Sequence, residues 1–388
     1  KPAKAKIIQF GALAALWNMA EQLDIIGTID RRVRKRNQGL SCGQYMVLAA
    51  VNRAVAASSK ASLYQWYRNT VLYRLLPVSK GSLASQRFWD HMSYLDENII
   101  AKIEEELTGR LVDNFKVDLQ TLLFDATNFD TFIDTQTQAE LPQRGHAKSK
   151  RTDLRIIGLA LLVSTDFHVP LLSHLYPGNQ QDAAMFASIT ESLVARYRQF
   201  AKQCEHITLV FDGGNTSENN IEEIDSSQYH FVTSLTVTHH KDLLRVPLRH
   251  FTAFSDPRLE GTTAYRTTKQ IWGTTRTVVV TRSQRLLCGQ LAGIKAALRK
   301  KRNALNQLRW KLRRSQQPRA RGKGYTRESV QKHLDSSTSG QYISEILHAE
   351  ITQTRGHLDF VFSTDFNALD RLKRTRLGKR ILCTDNHD

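Results

Sequence analysis

The sequence predicts a mixed α/β fold, and three observations carry that expectation. Residues 1–117 show apolar side chains at helical spacing, two later β-branched and aromatic runs each end on an aspartate, and a basic segment with a long helical pattern separates the second run from a final strand. At 388 residues the chain is long enough for two or three domains, and 41% apolar with 24% charged residues is a globular composition. No apolar run approaches the roughly 18–20 residues of a membrane span, and the N-terminal stretch lacks the apolar centre of a secretory signal, so no membrane partner is expected and the protein is read as intracellular. Cys42, Cys204, Cys288 and Cys383 form no CxxC pair, which suggests neither a zinc site nor a disulfide framework.

In chain order, helical periodicity covers residues 7–23, 45–57 and 99–112, with turn signals at 37–39 and 77–82. This region carries a basic cluster, Arg31, Arg32, Arg34, Lys35 and Arg36, and the aromatics Trp66, Tyr67, Phe88 and Trp89, which are read as core; residues 82–94 are a candidate recognition helix. A first strand spans the apolar run around Asp125, and a basic loop of small residues follows at 144–151. Two apolar strands, 154–165 and 169–176, flank a polar turn. Asp182 is a candidate cap for a helix to about residue 203, and a second acidic strand, a short helix near 218–224 and a strand at 229–237 come next. That succession of strand, hairpin, helix, strand, helix and strand is the order of a ribonuclease-H-like core. Beyond it the pattern predicts irregular Thr-rich β structure over 243–280, a long helix over 287–312, a strand at 350–363 and a last one at 380–385. The leucine seam of the long helix, Leu287, Leu291, Ile294, Leu298, Leu305, Leu308 and Leu312, requires a partner helix, from the segment 328–347 of the same chain or from a second subunit, the intramolecular hairpin being the favoured use. The expected domains are a helical DNA-binding region at 1–117, the first part of the core at 118–240, a basic insertion at 241–378 and a return to the core at 379–388.

The two acids are Asp125, in Phe124-Asp125-Ala126-Thr127-Asn128, and Asp212, in Phe211-Asp212-Gly213-Gly214-Asn215. Carboxylates delivered by neighbouring buried strands suit a divalent metal pair acting on phosphodiesters. Asp130 and Asp134 are read as surface residues, and His146, His168 and His174 match no zinc spacing. The net charge of +18 is localised: from residue 261 to 327 there is no Asp or Glu but there are 18 Lys and Arg, and outside that window 37 basic residues balance 37 acidic ones. A local polycation of this kind points to nucleic acid.

These peptides, with Gly145-His146-Ala147-Lys148-Ser149-Lys150-Arg151, Tyr176-Pro177-Gly178-Asn179 and the closing Leu382-Cys383-Thr384-Asp385, resemble the DDE transposases of bacterial insertion sequences, in the cut-and-paste branch whose core is interrupted by a β-rich insertion. The resemblance implies that Asp125 and Asp212 are catalytic metal ligands for two Mg²⁺ ions, with Mn²⁺ able to substitute. Asn128 and Asn215 would orient the carboxylates as second-shell groups. DNA binding would fall to Arg144, His146, Lys148, Lys150 and Arg151 in the loop and to Lys295, Arg299, Lys300, Lys301, Arg302, Arg309, Lys311, Arg313, Arg314, Arg319, Arg321 and Lys323 in the insertion. It further implies a homodimer on double-stranded DNA, with transposon ends and target as substrates, in the bacterial cytoplasm and associated with the nucleoid. The family's third acid, a Glu on a helix, is expected a few tens of residues past Asp385, so these residues alone carry two acids of three and are expected to be inactive without it. Two other readings share the same acids: a metal-dependent nuclease or resolvase, and a DNA-binding relic without catalysis.

Overall fold

The computed structural model describes residues 8–33, 39–134, 136–180, 207–215, 218–227, 229–317, 324–354 and 357–387. The chain divides into two compact units, Lys1–Leu209 and Val210–Asp388. The first begins with helices α1 (Gly11–Gln22), α2 (Ile25–Asp30), α3 (Cys42–Ala56), α4 (Leu63–Tyr67), α5 (Leu72–Leu75), α6 (Ser85–Met92) and α7 (Glu97–Phe115). Ser41 starts α3 with a capping box to Gln44, which satisfies two backbone N–H groups that the helix cannot. Leu13, Trp17, Tyr45, Leu48, Leu63, Tyr67, Leu72 and Phe88 pack into one core. Tyr67 and Phe88 therefore are core aromatics and Trp66 packs against that core, but Trp89 is 54% exposed under the Lys60 ammonium, 4.3 Å from its ring centroid.

Of the expected basic cluster, Arg31 and Arg32 are committed within the fold. Glu106 on α7 receives Arg32, Arg31 at 2.7 Å and Arg110 at 2.6 Å, tying α2 to α7. Arg34, Lys35 and Arg36 lie outside the described residues. From α7 the chain passes to the sheet: Glu104 accepts the backbone N–H of Ser173 at 2.8 Å and Thr108 donates to the Leu171 carbonyl at 3.2 Å.

The sheet of this unit is an antiparallel meander of β1 (Thr121–Thr131), β2 (Arg155–Ser164) and β3 (Pro170–Pro177), in the order β3-β2-β1, with β4 (Ile207–Phe211) on the other side of β1. Along β1 the side chains of Leu122, Phe124 and Ala126 are buried, while Asp125 on the opposite face is exposed, as the two-residue period of a strand dictates. The helix expected from Asp182 to about residue 203 lies outside the described residues.

The second unit starts within β4 and continues through α8 (Glu218–Asp225), β5 (Tyr229–Leu235), α9 (Lys241–Leu244), β6 (Thr252–Ala253), β7 (Thr262–Ile271), β8 (Thr274–Ser283), α10 (Gln284–Ser315), α11 (Arg327–Thr338), α12 (Ile343–Ile346), β9 (Leu347–Thr354), β10 (His357–Thr364), α13 (Phe366–Thr375) and β11 (Lys379–Thr384). Its strand order is β4-β5-β11-β8-β7-β6, with β9 and β10 a separate hairpin. A meander β3-β2-β1 followed by β4 and then β5 is the succession of a ribonuclease-H-like α/β fold.

Two expectations change. The Thr-rich segment is a regular hairpin, β7 and β8 paired over ten residues and closed at Trp272 and Gly273, both with positive φ as a two-residue hairpin turn requires. Threonine on both faces gives no apolar alternation, so the sequence hides the strands while β-branching still favours them. The strand expected at 350–363 is the two-stranded hairpin of β9 and β10. The division between the compact units falls inside β4, and β8 pairs with β11, which pairs with β5.

The long helix runs 32 residues, capped by Ser283, about 48 Å at 1.5 Å per residue. Its seam is buried against Val330 and Leu334 of α11 and against Ile346, Phe360 and Leu372, so the partner is this same chain. Among the described residues, no helix is long and apolar enough to cross a membrane.

Candidate active site

Asp125 stands on the exposed face of β1 opposite Leu161 of β2. Its Oδ1 accepts the Ala126 N–H at 2.8 Å, which fixes the carboxylate while Oδ2 keeps no protein donor among the described residues. Asp212 follows the last residue of β4 and is likewise exposed. Its Oδ1 accepts the Ser234 hydroxyl at 3.0 Å, and the same Ser234 oxygen accepts the Gly213 N–H at 3.0 Å. A Cβ at position 213 would lie 2.4 Å from the Ser234 carbonyl oxygen, so only glycine lets the chain turn this close to β5. Asp125 belongs to the first unit and Asp212 to the second.

The basic loop is built onto β1 and β3. Asn128 donates to the His146 carbonyl at 3.1 Å and accepts the Lys148 N–H at 3.0 Å. It therefore clamps the loop. The Lys148 ammonium donates to the Ala126 carbonyl, and Ser149 donates to Asp130 at 2.9 Å. At the loop's start a Cβ on Gly145 would fall 1.9 Å from the Gly178 oxygen, and a Cβ on Gly178 would fall 2.0 Å from the Ile156 oxygen, which is why the basic loop and Tyr176-Pro177-Gly178-Asn179 both carry glycine.

The candidate DNA-binding cations divide into two sets. Arg144 donates to the Thr152 carbonyl at 3.1 Å, and Arg151 pairs with Asp153, whose carboxyl that guanidinium holds below the usual range. Lys150 has a φ of 63° and donates its backbone N–H to the Ala147 carbonyl at 2.9 Å, while its ammonium has no protein partner among the described residues; His146 is exposed. On α10, Arg309 lies over Phe360 and Phe362 at 5.1 and 4.9 Å and donates to the Phe360 carbonyl at 3.0 Å. Arg313 pairs with Asp359 at 2.9 Å, and Lys301 donates to the Ser336 carbonyl at 3.0 Å. Burial pushes Asp359 up, but the hydrogen bonds from Arg313 and the Phe360 N–H outweigh it and hold the carboxyl below its usual value. These three cations thus brace α10 against its neighbours. Arg314 stacks over Trp310 at 5.1 Å. Lys295, Arg299, Lys300, Arg302 and Lys311 remain exposed and unpaired among the described residues, and Arg319, Arg321 and Lys323 lie outside them.

A family model for the transposase DDE domain matches residues 118–356. The chain belongs to this DDE transposase family. Similar solved structures include a piggyBac transposase synaptic complex with hairpin DNA, 10% identical with a TM-score of 0.36, the match covering 70% of this chain and 58% of that one. A Mos1 transposase paired-end complex with left transposon end is 12% identical with a TM-score of 0.22, covering 51% and 60%. A Mos1 mariner paired-end complex with Mn is 11% identical with a TM-score of 0.21, covering 56% and 65%. The chain thus spans about three fifths of the length of these transposases. No curated protein matches.

DDE transposase domains use divalent metal ions, and two exposed carboxylates are hard oxygen donors of the type Mg²⁺ and Mn²⁺ take. Among the described residues, no group of three His, Cys, Asp or Glu is arranged to hold a metal. The sequence of this DDE transposase chain singles out Asp125 and Asp212 as candidates and gives no reason to single out Ser234. Its only signal is a hydroxyl on the partly open face of β5, and that has meaning only once β5 is known to lie beside Asp212. The side chain of Asn215 lies outside what the structure describes.

Proposed function

We propose that this chain carries the first two catalytic acids of a DNA transposase that cuts and joins phosphodiester bonds at insertion-sequence ends. What carries the reading is the family match over residues 118–356, within which Asp125 is an exposed carboxylate on β1 and Asp212 an exposed carboxylate just past β4, each held by a local hydrogen bond. In this reading both hold Mg²⁺, or Mn²⁺ in its place. A divalent ion bound there supplies Lewis acidity for in-line phosphodiester displacement. The protein's own part is positional. Ser234 keeps Asp212 in one rotamer, the Ala126 N–H does the same for Asp125, and the Asn128 clamp holds the loop that carries Lys150 against β1. Lys150 and the free cations of α10 bind phosphates, which sets register without reading sequence. Function as a homodimer on double-stranded DNA, joining two ends, belongs to the same proposal.

The test has two readouts. Mn²⁺ titration followed by electron paramagnetic resonance is expected to show binding that Asp125→Asn and Asp212→Asn each weaken at least tenfold, with the thermal transition retained. Plasmid transposition by the product of the source gene is expected to yield strand-transfer products that both substitutions abolish. Hydrolysis without joining would leave the nuclease reading in place, and Mn²⁺ binding unchanged in both variants would remove the acids from the mechanism.

A further inference from the structure

The second unit carries a groove of about 800 Å³ between the first two turns of α10 and the strands β8 and β11. Its apolar lining is Phe254, Leu259, Leu286 and Leu382, the first two each 40% exposed, and its cations are Arg285 and Arg380. Both arginines are exposed, and neither guanidinium has a protein partner among the described residues. No Asp or Glu lines the groove among those residues. Strand register sets this groove beside Asp212. Leu382 of β11 pairs with Ser234 of β5, and residues directly opposite in an antiparallel pair share a face with Cβ atoms about 5 Å apart. Ser234 is the residue whose hydroxyl holds the Asp212 carboxylate. Arg380, two residues before Leu382, lies on the same face about 7 Å further along, past the end of β5 at Leu235. The opposite face of β11 is closed, since Lys379, Ile381 and Cys383 are buried.

We infer that this groove seats the sugar–phosphate backbone of one DNA strand as it leads away from the phosphate processed at Asp212, with Arg380 and Arg285 as its phosphate ligands. A guanidinium offers a phosphate two parallel N–H donors, and an unpaired one gives up no ion pair to do so. The apolar lining takes the carbon faces of deoxyribose rings, for which a site built for phosphate alone has no use. Both contacts are blind to sequence, so the groove sets where the strand lies against Asp212 and does not choose the strand. The offset of about 7 Å equals about two steps of a strand rising 3.4 Å per nucleotide, which puts the phosphate on Arg380 about two from the one at Asp212. Continuity with Asp212 favours a DNA strand over an acidic peptide. The sheet face that presents the carboxylate also presents Arg380, and a peptide lying there would crowd the carboxylate that the processed phosphate must reach.

The inference rests on the DNA-transposase reading, and the experiment separates the two. The probe is a duplex of the terminal base pairs of the source element, carrying a single uncharged methylphosphonate that is moved along each strand. Fluorescence anisotropy reads its affinity for the native chain and for Arg380→Gln, Arg380→Lys and Arg285→Gln, and thermal melts check that each variant keeps its fold. The native chain is expected to lose about tenfold in affinity when the phosphate seated on Arg380 is neutralised, within about three nucleotides of the element boundary. Arg380→Gln is expected to lose a similar factor on the unmodified duplex and nothing more when that one phosphate is neutralised, while neutralisation elsewhere still weakens it. Arg380→Lys is expected to keep most of the affinity, and Arg285→Gln to show the pattern of Arg380→Gln at a different phosphate. Losses that multiply at every position, or glutamine variants that bind as the native chain does, would overturn the groove while leaving the transposase reading standing. A changed sedimentation of Leu259→Asp without DNA, with its affinity for DNA retained, would overturn it in favour of a protein contact. Failure of the native chain to bind the duplex would overturn both readings together.

Discussion

Glu106 shows how a single side chain redirects a sequence-level expectation. Arg31 and Arg32 read as free cations in a list of basic residues, yet both close on this one carboxylate, which Arg110 and Thr28 also contact. The hydrogen bond from Arg32, with that from Arg31, holds the Glu106 carboxyl below its usual value against the opposing effect of burial. A carboxyl depressed in the folded state stabilises the fold above its unfolded pKa of about 4.3, and that stability is lost as pH falls through the lower folded value. Glu106→Gln is therefore expected to cost about 1–2 kcal/mol at pH 7 in thermal melts, with the gap to the native protein closing as the pH is taken from 5 towards 3. A gap independent of pH would mean that packing, and not charge, is what the glutamate contributes. At the site itself, Ser234→Ala removes the hydroxyl that holds Asp212. Since groups supporting a metal ligand are worth 10–100-fold in affinity, Mn²⁺ binding is expected to weaken about tenfold in that variant with the melting temperature little changed.

At the scale of elements, legibility followed contrast. The seam of α10 could be read because leucines recur at heptad spacing in an otherwise polar helix, and the structure buries Leu305 and Leu312 completely. The β7–β8 hairpin could not, because Thr262–Ile271 and Thr274–Ser283 offer threonine to both faces. Asp125 and Asp212 stood out because each follows a run of Leu, Val, Ile and Phe, Asp125 within β1 and Asp212 just past β4. The tasks of Asn128 and Ser234 did not, since a clamp on a loop and a bond across strands exist only after register is set. Leu305→Ala deletes a fully buried side chain packed among α11 and its neighbours, so urea denaturation is expected to show a loss of about 2–5 kcal/mol. Because the seam closes within the chain, sedimentation of that variant should match the native protein. A change in association state would show that the seam instead serves a second copy.

For the whole molecule, the net charge of +18 is a sum whose members do different work. Arg309, Arg313 and Lys301 lie in the same basic window as Lys300 and Arg302, and sequence cannot separate them. Arg309 is spent on the rings of Phe360 and Phe362, Arg313 on Asp359 and Lys301 on the Ser336 carbonyl, whereas Lys295, Lys300 and Arg302 point to solvent unpaired among the described residues. Counterion release makes the difference measurable, because each phosphate neutralised on duplex DNA adds about 0.9 to the slope of log affinity against log salt. Replacing Lys295, Lys300 and Arg302 together by Gln is therefore expected to flatten that slope by up to about 3, with thermal stability unchanged. Replacing Arg309 and Arg313 by Gln is expected to leave the slope nearly intact and to lower stability, since Asp359 would then be left part-buried without its partners. If the first set altered stability and the second the slope, the assignment of charges on α10 would be reversed, and DNA would have to lie along the face that the structure packs against β10.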